Sequence, residues 1–144
     1  MISLLLFLWL PVSVWALEYP TLHYDKAILY DLTDDKVLYE LKDKEKAHVA
    51  SLTKILTTIT AIESIDNLDD MVTYTENMKS LVRWDASVAG LSVGDKVSYR
   101  DLLYASILPS GADATTALAI STSGSISNFV KNMNEEASKI GMSN

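Results

Sequence analysis

Apolar residues change their spacing along this chain, and each change predicts a different element. Ala27-Ile28-Leu29-Tyr30-Asp31-Leu32 and Val37-Leu38-Tyr39-Glu40-Leu41 are two β-prone runs, and the intervening Thr33-Asp34-Asp35-Lys36 has the short polar side chains of a tight turn. Together they predict a hairpin, with Tyr30 and Tyr39 packing within it. The stretch Lys42-Asp43-Lys44-Glu45-Lys46 reads as a solvated loop. From Ser51 to about Ser64 the spacing becomes helical: Leu52, Ile55, Leu56, Ile59 and Ile62 fall on one stripe, expected to be the buried one. Thr53, Thr57, Thr58 and Thr60 give this helix mediocre intrinsic propensity, so tertiary burial has to hold it.

Residues 67–97 read as irregular, with short β-prone pieces at Met71-Val72-Thr73-Tyr74 and Lys96-Val97-Ser98 and a turn at Ser92-Val93-Gly94-Asp95. Ser98-Tyr99-Arg100-Asp101 fits a capping signature, and residues 102–108 follow as a short helix stopped by Pro109. Two further helices are predicted, at about 113–122 and 126–140. The second aligns Ile126, Phe129, Val130, Met133, Ala137 and Ile140 and stops at Gly141. A hairpin followed by helices, without βαβ alternation, predicts an α+β fold. Two strands are marginal alone, so further strands have to come from the middle segments or from sequence outside the chain.

Composition narrows what such a fold can do. Residues 1–16, MISLLLFLWLPVSVWA, are apolar but too short for a comfortable membrane span, and Val14-Trp15-Ala16 suits cleavage after Ala16. They read as a secretory signal, although no Lys or Arg precedes the apolar run, with an uncleaved anchor as the alternative; either way residues 17–144 read as an exported domain. The 144 residues contain no cysteine, which excludes disulfides and thiolate metal sites. His23 and His48 lie far apart in the chain and lack the partners of a zinc site, so the reading calls for no metal and no cofactor. A formal net charge of −7 with no Lys/Arg cluster excludes nucleic acid as a partner. Asp34-Asp35 and Asp69-Asp70 read as turn residues rather than proton-transfer pairs, and Trp84 as an exposed aromatic.

Candidate chemistry sits at the start of the first predicted helix. In Ser51-Leu52-Thr53-Lys54 a hydroxyl and an amine three residues apart share a helix face. A serine hydroxyl needs a neighbouring base to become a nucleophile, and a lysine partly withdrawn from water can serve. Exposed N–H donors at a helix N-terminus would favour the oxyanion of an acyl-transfer intermediate. On spacing alone the ordinary reading is a capping serine followed by a surface lysine. Leu108-Pro109-Ser110-Gly111-Ala112-Asp113-Ala114 adds a second serine motif between two helices, which alone would read as another cap.

The two segments together resemble the first and second motifs of the serine D-alanyl-D-alanine carboxypeptidases among the low-molecular-mass penicillin-binding proteins, peptidase family S11. Ala27 through Leu41, Gly90-Leu91-Ser92-Val93-Gly94-Asp95, Asp101-Leu102-Leu103-Tyr104 and the stretch from Asn132 to Met142 also resemble that family, in the right order. The likeness covers residues 25–144. It implies the N-terminal part of a β-lactamase/transpeptidase-like domain, with a hairpin, a helical region and the rest of the sheet missing. It implies Ser51 as acyl nucleophile, Lys54 as general base and Ser110 as proton relay. Peptidoglycan stem peptides would be the substrate, β-lactam antibiotics acylating inhibitors, and the cell envelope or its exterior the location.

The chain also departs from the family pattern. Ala112 stands where the second motif commonly has Asn, removing an amide expected to hold substrate and lysine. No Lys-Thr-Gly occurs in residues 1–144, so the expected site is partial and the chain a fragment, inactive alone and exposing apolar surface. Membrane attachment is left to sequence outside it. Two other readings remain at this point: a serine β-lactamase, and a non-catalytic envelope protein that binds peptidoglycan or β-lactams.

Overall fold

A computed structural model describes residues 23–142, so the predicted signal segment lies outside the described residues. Contacts divide the chain between Glu45 and Lys46 into two units. In the first, β1 (Ala27–Asp31) pairs antiparallel with β2 (Lys36–Leu41), the predicted hairpin. Asp31 shapes the turn: its Oδ1 accepts from Thr33 N at 2.8 Å and Asp34 N at 3.4 Å. The register pairs Leu29 with Tyr39 but Tyr30 with Val37, so Leu38 is the extra residue of a bulge. Lys26 Nζ and Glu45 Oε2 form an ion pair 2.7 Å apart. Tyr30, expected to pack within the hairpin, is instead 43% exposed and donates its hydroxyl to Asp35, which lies across the turn.

The second unit is mostly helical. A single 3₁₀ turn, Ala50–Leu52, leads into α1 (Thr53–Glu63). After it come β3 (Met71–Thr73), α2 (Glu76–Ser80), β4 (Lys96–Ser98), α3 (Tyr99–Ile107), α4 (Ala112–Ser123) and α5 (Ile126–Lys139). The two short β-prone pieces pair antiparallel with each other as a separate two-stranded sheet. Helix α2 was not predicted. Five residues are too few to show a period, and its local signal is the cap, with Thr75 Oγ1 accepting from Met78 N at 3.3 Å. The capping signature before α3 forms as expected: Ser98 Oγ accepts from Asp101 N at 3.1 Å and donates to Asp101 Oδ2 at 2.8 Å.

Helix α1 buries the face opposite to the one its apolar pattern predicts. Of the predicted stripe, Leu52, Ile55, Ile59 and Ile62 are exposed, at 39–64%, and Leu56 is half buried, whereas Thr57, Thr60 and Ala61 are buried. The neighbours explain it. α1 packs against α4, whose buried residues include Ala114, Ala117, Leu118 and Ala119, and small side chains let the two backbones approach closely. Burial of the threonines is inexpensive because Thr57 Oγ1 donates to Thr53 O at 3.2 Å and Thr60 Oγ1 to Leu56 O at 2.8 Å. Phe129 of α5, Leu102 of α3 and Val72, Tyr74 and Met78 complete the core. On the outer side, Thr58, Ile62, Leu68, Leu103, Tyr104 and Ile107 line an open, mostly apolar groove of about 380 Å³.

Candidate active site

The residues before α1 bend sharply. Ala50 has φ +45°, a left-handed conformation uncommon for a residue with a Cβ, and it delivers Ser51 to the 3₁₀ turn. Ser51 therefore lies ahead of the α-helix rather than capping it, and no side-chain bond caps either the 3₁₀ turn or α1. The Ser51 side chain is exposed, and its Oγ lies 3.4 Å from Nζ of Lys54, one turn further on and half buried. That distance is at the long end for a hydrogen bond, as is common for catalytic pairs before substrate binds.

Ser110 reaches the same place from the other end of the unit. It follows α3 after Pro109, with φ +59°, and its Oγ donates to Ser51 Oγ at 2.9 Å across 59 residues of sequence. Ser110 is not a helix cap either, since Gly111 holds that position and makes no side-chain bond. Ser51, Lys54 and Ser110, the three residues singled out in the sequence, thus converge. The apolar groove beside α3 includes none of them.

The turn that carries Ser110 is held on every side. Ser110 N donates to Ile107 O at 3.3 Å, Gly111 N to Ala105 O at 3.0 Å and Ala112 N to Ser87 O at 2.8 Å. A Cβ on Gly111 would stand 2.6 Å from Ala105 O, 2.8 Å from Asp113 Oδ1 and 3.0 Å from the Cβ of Ala89, so only glycine fits. Ala112 presents a methyl group, which makes no hydrogen bond.

Asp113 was given no role from sequence. Its side chain faces the loop before β4, where Oδ1 accepts from Ala89 N at 2.8 Å and Oδ2 from Gly90 N and Leu91 N, each at 2.9 Å. Ala114 N adds a fourth donor at 2.9 Å. The residue is 3% exposed. Burial pushes its carboxyl up, but the four backbone N–H donors outweigh that and hold it below the usual 3.8. The local signal was an acid in the first turn of a helix; its loop partners, 22 to 24 residues away, leave no trace in sequence spacing.

Known structures identify the class of fold. The chain superposes on penicillin-binding protein 5 of Haemophilus influenzae with a TM-score of 0.80 at 30% identity, covering 90% of this chain and 39% of that one. On a point variant of a Streptomyces DD-transpeptidase the TM-score is 0.82 at 32% identity, covering 88% and 52%. The fold is part of the penicillin-binding transpeptidase/β-lactamase type.

Residues 14–144 match the family model described as D-alanyl-D-alanine carboxypeptidase, and the chain belongs to that family. Among curated relatives, D-alanyl-D-alanine carboxypeptidase DacC of Escherichia coli is 36% identical over 152 residues, which take in 99% of this chain and 38% of the relative. DacF of Bacillus subtilis is 33% identical over 122 residues, or 82% and 31%. The chain thus spans about a third of the length of these relatives.

Proposed function

We propose that this chain supplies the nucleophile side of a serine-type D-Ala-D-Ala carboxypeptidase, an exported enzyme that trims the terminal D-alanine from peptidoglycan stem peptides. The convergence of Ser51 Oγ with Lys54 Nζ at 3.4 Å and Ser110 Oγ at 2.9 Å, in a member of this family, carries the reading. In the first step Ser51 Oγ attacks the carbonyl carbon of the penultimate D-alanine and its proton passes to Lys54. The scissile C–N bond then breaks, and the leaving amine takes a proton relayed through the Ser110 hydroxyl. Water hydrolyses the resulting ester and restores Ser51. A β-lactam acylates the same hydroxyl when its strained amide opens. Among the described residues no helix is long and apolar enough to cross a membrane.

Labelled penicillin tests the assignment. The intact protein takes up one label, Ser51→Ala takes up none, and Lys54→Ala and Ser110→Ala slow labelling on the order of 10²- to 10⁴-fold. Equal labelling of Ser51→Ala and parent would remove Ser51 from the mechanism. Release of hydrolysed penicillin over many turnovers would point to a β-lactamase instead.

A further inference from the structure

Ser110 depends on a backbone conformation that a serine does not adopt by preference. At φ +59° its Cβ crowds its own backbone, so the residue stays there only while its surroundings hold it. Apart from the Ser51 hydroxyl, the described hydrogen bonds that reach this turn and the start of α4 from outside these two helices come from one loop. Ser87 accepts from Ala112 N through its carbonyl, and Ala89, Gly90 and Leu91 donate their N–H groups to Asp113. We infer that Asp113 is a positioning residue for Ser110: its carboxylate draws the Ala89–Leu91 loop onto the start of α4 and thereby fixes the turn that presents the Ser110 hydroxyl to Ser51.

The carboxylate is used to capacity. Each oxygen accepts two N–H bonds, Oδ1 from Ala89 and Ala114 and Oδ2 from Gly90 and Leu91, which fills its lone-pair sites. An acid that served only the helix dipole could do so from the exposed surface of the first turn. Asp113 is instead buried and engages three consecutive amides of a distant loop. Gly111 shows how tightly the parts fit, because a methyl group there would strike the Ala105 carbonyl, the Asp113 carboxylate and Ala89 together. The path from Asp113 to the Ser110 hydroxyl is therefore two residues of backbone, each with its N–H anchored.

The inference rests on the acyl-transfer reading above, and its test separates the two. In the intact protein, Asp113→Asn keeps the side-chain shape but turns an NH₂ group toward two backbone donors, and Asp113→Ala removes the acceptor altogether. Both should slow acylation by labelled penicillin by about 10- to 100-fold, the scale expected for a misplaced catalytic group. The fraction labelled at long times should match the parent. In a Ser110→Ala background the same substitutions should slow acylation little further, because their effect runs through Ser110. Unchanged rates, or the same slowing with and without the Ser110 hydroxyl, would overturn the inference; so would a reduced labelled fraction reacting at the parental rate, which signals loss of fold alone. Should the parent itself fail to label at Ser51, the acyl-transfer reading falls, and a crystal structure of Asp113→Asn still decides this one. Displacement of Ser110 Oγ from Ser51 supports it, and retention of the 2.9 Å contact refutes it.

Discussion

Two residues with a Cβ flank the candidate chemistry in left-handed conformations, Ala50 at φ +45° and Ser110 at φ +59°. Ser110 carries a hydroxyl that donates to Ser51, but Ala50 ends in a methyl group. Ala50→Gly should therefore relieve strain of about 1–2 kcal/mol, less the 0.5–1 kcal/mol that a more flexible unfolded chain takes back. The expected net gain is about 0.5 kcal/mol, read as a higher denaturation midpoint at unchanged slope. A loss of stability would mean that the methyl group makes contacts worth more than the strain. At this scale the sequence was most informative where chemistry is local. The three-residue spacing of Ser51 and Lys54 pointed to a shared face, whereas Ser110 was singled out through its likeness to a motif. The four donors to Asp113 were hidden because three belong to a loop without periodicity, far away in the chain.

Helix α1 shows what periodicity can and cannot decide. The apolar spacing correctly announced a helix, but the bulky stripe of Leu52, Ile55, Ile59 and Ile62 faces outward while small Thr57, Thr60 and Ala61 meet α4 and α5. A pattern identifies an element's faces without saying which neighbour arrives at each. Substitutions should respond accordingly. Ile59→Gln should shift the stability of this chain by no more than about 0.5 kcal/mol, as at an ordinary surface position. Ala61→Leu, which forces about three more heavy atoms into the contact between helices, should cost about 1–3 kcal/mol. Urea titration of the two variants checks the order, and a larger cost for Ile59→Gln would contradict the packing described. The hairpin, α3, α4 and α5 were legible because caps, glycine stops and alternation are local signals. Helix α2 was not, and neither was the pairing of β3 with β4, which joins segments more than 20 residues apart.

For the molecule as a whole, the buried Asp113 links stability to pH. Its carboxyl is held below 3.8 in the folded state, so it stabilises the fold fully above the pH where an unfolded aspartate titrates. That contribution fades as pH falls through the depressed folded value, when the carboxyl must take up a proton and surrender acceptor capacity. Denaturation midpoints measured from pH 7 down to pH 2 should fall more steeply at the acid end in the parent than in Asp113→Ala, and parallel curves would exclude this linkage. Gly111 has a consequence of a different order. Every missense change of a glycine codon introduces a Cβ, and here any Cβ lands 2.6 Å from a backbone oxygen that cannot swing away. Point mutation thus offers a population no neutral step at this codon, and lineages under selection have to change around it.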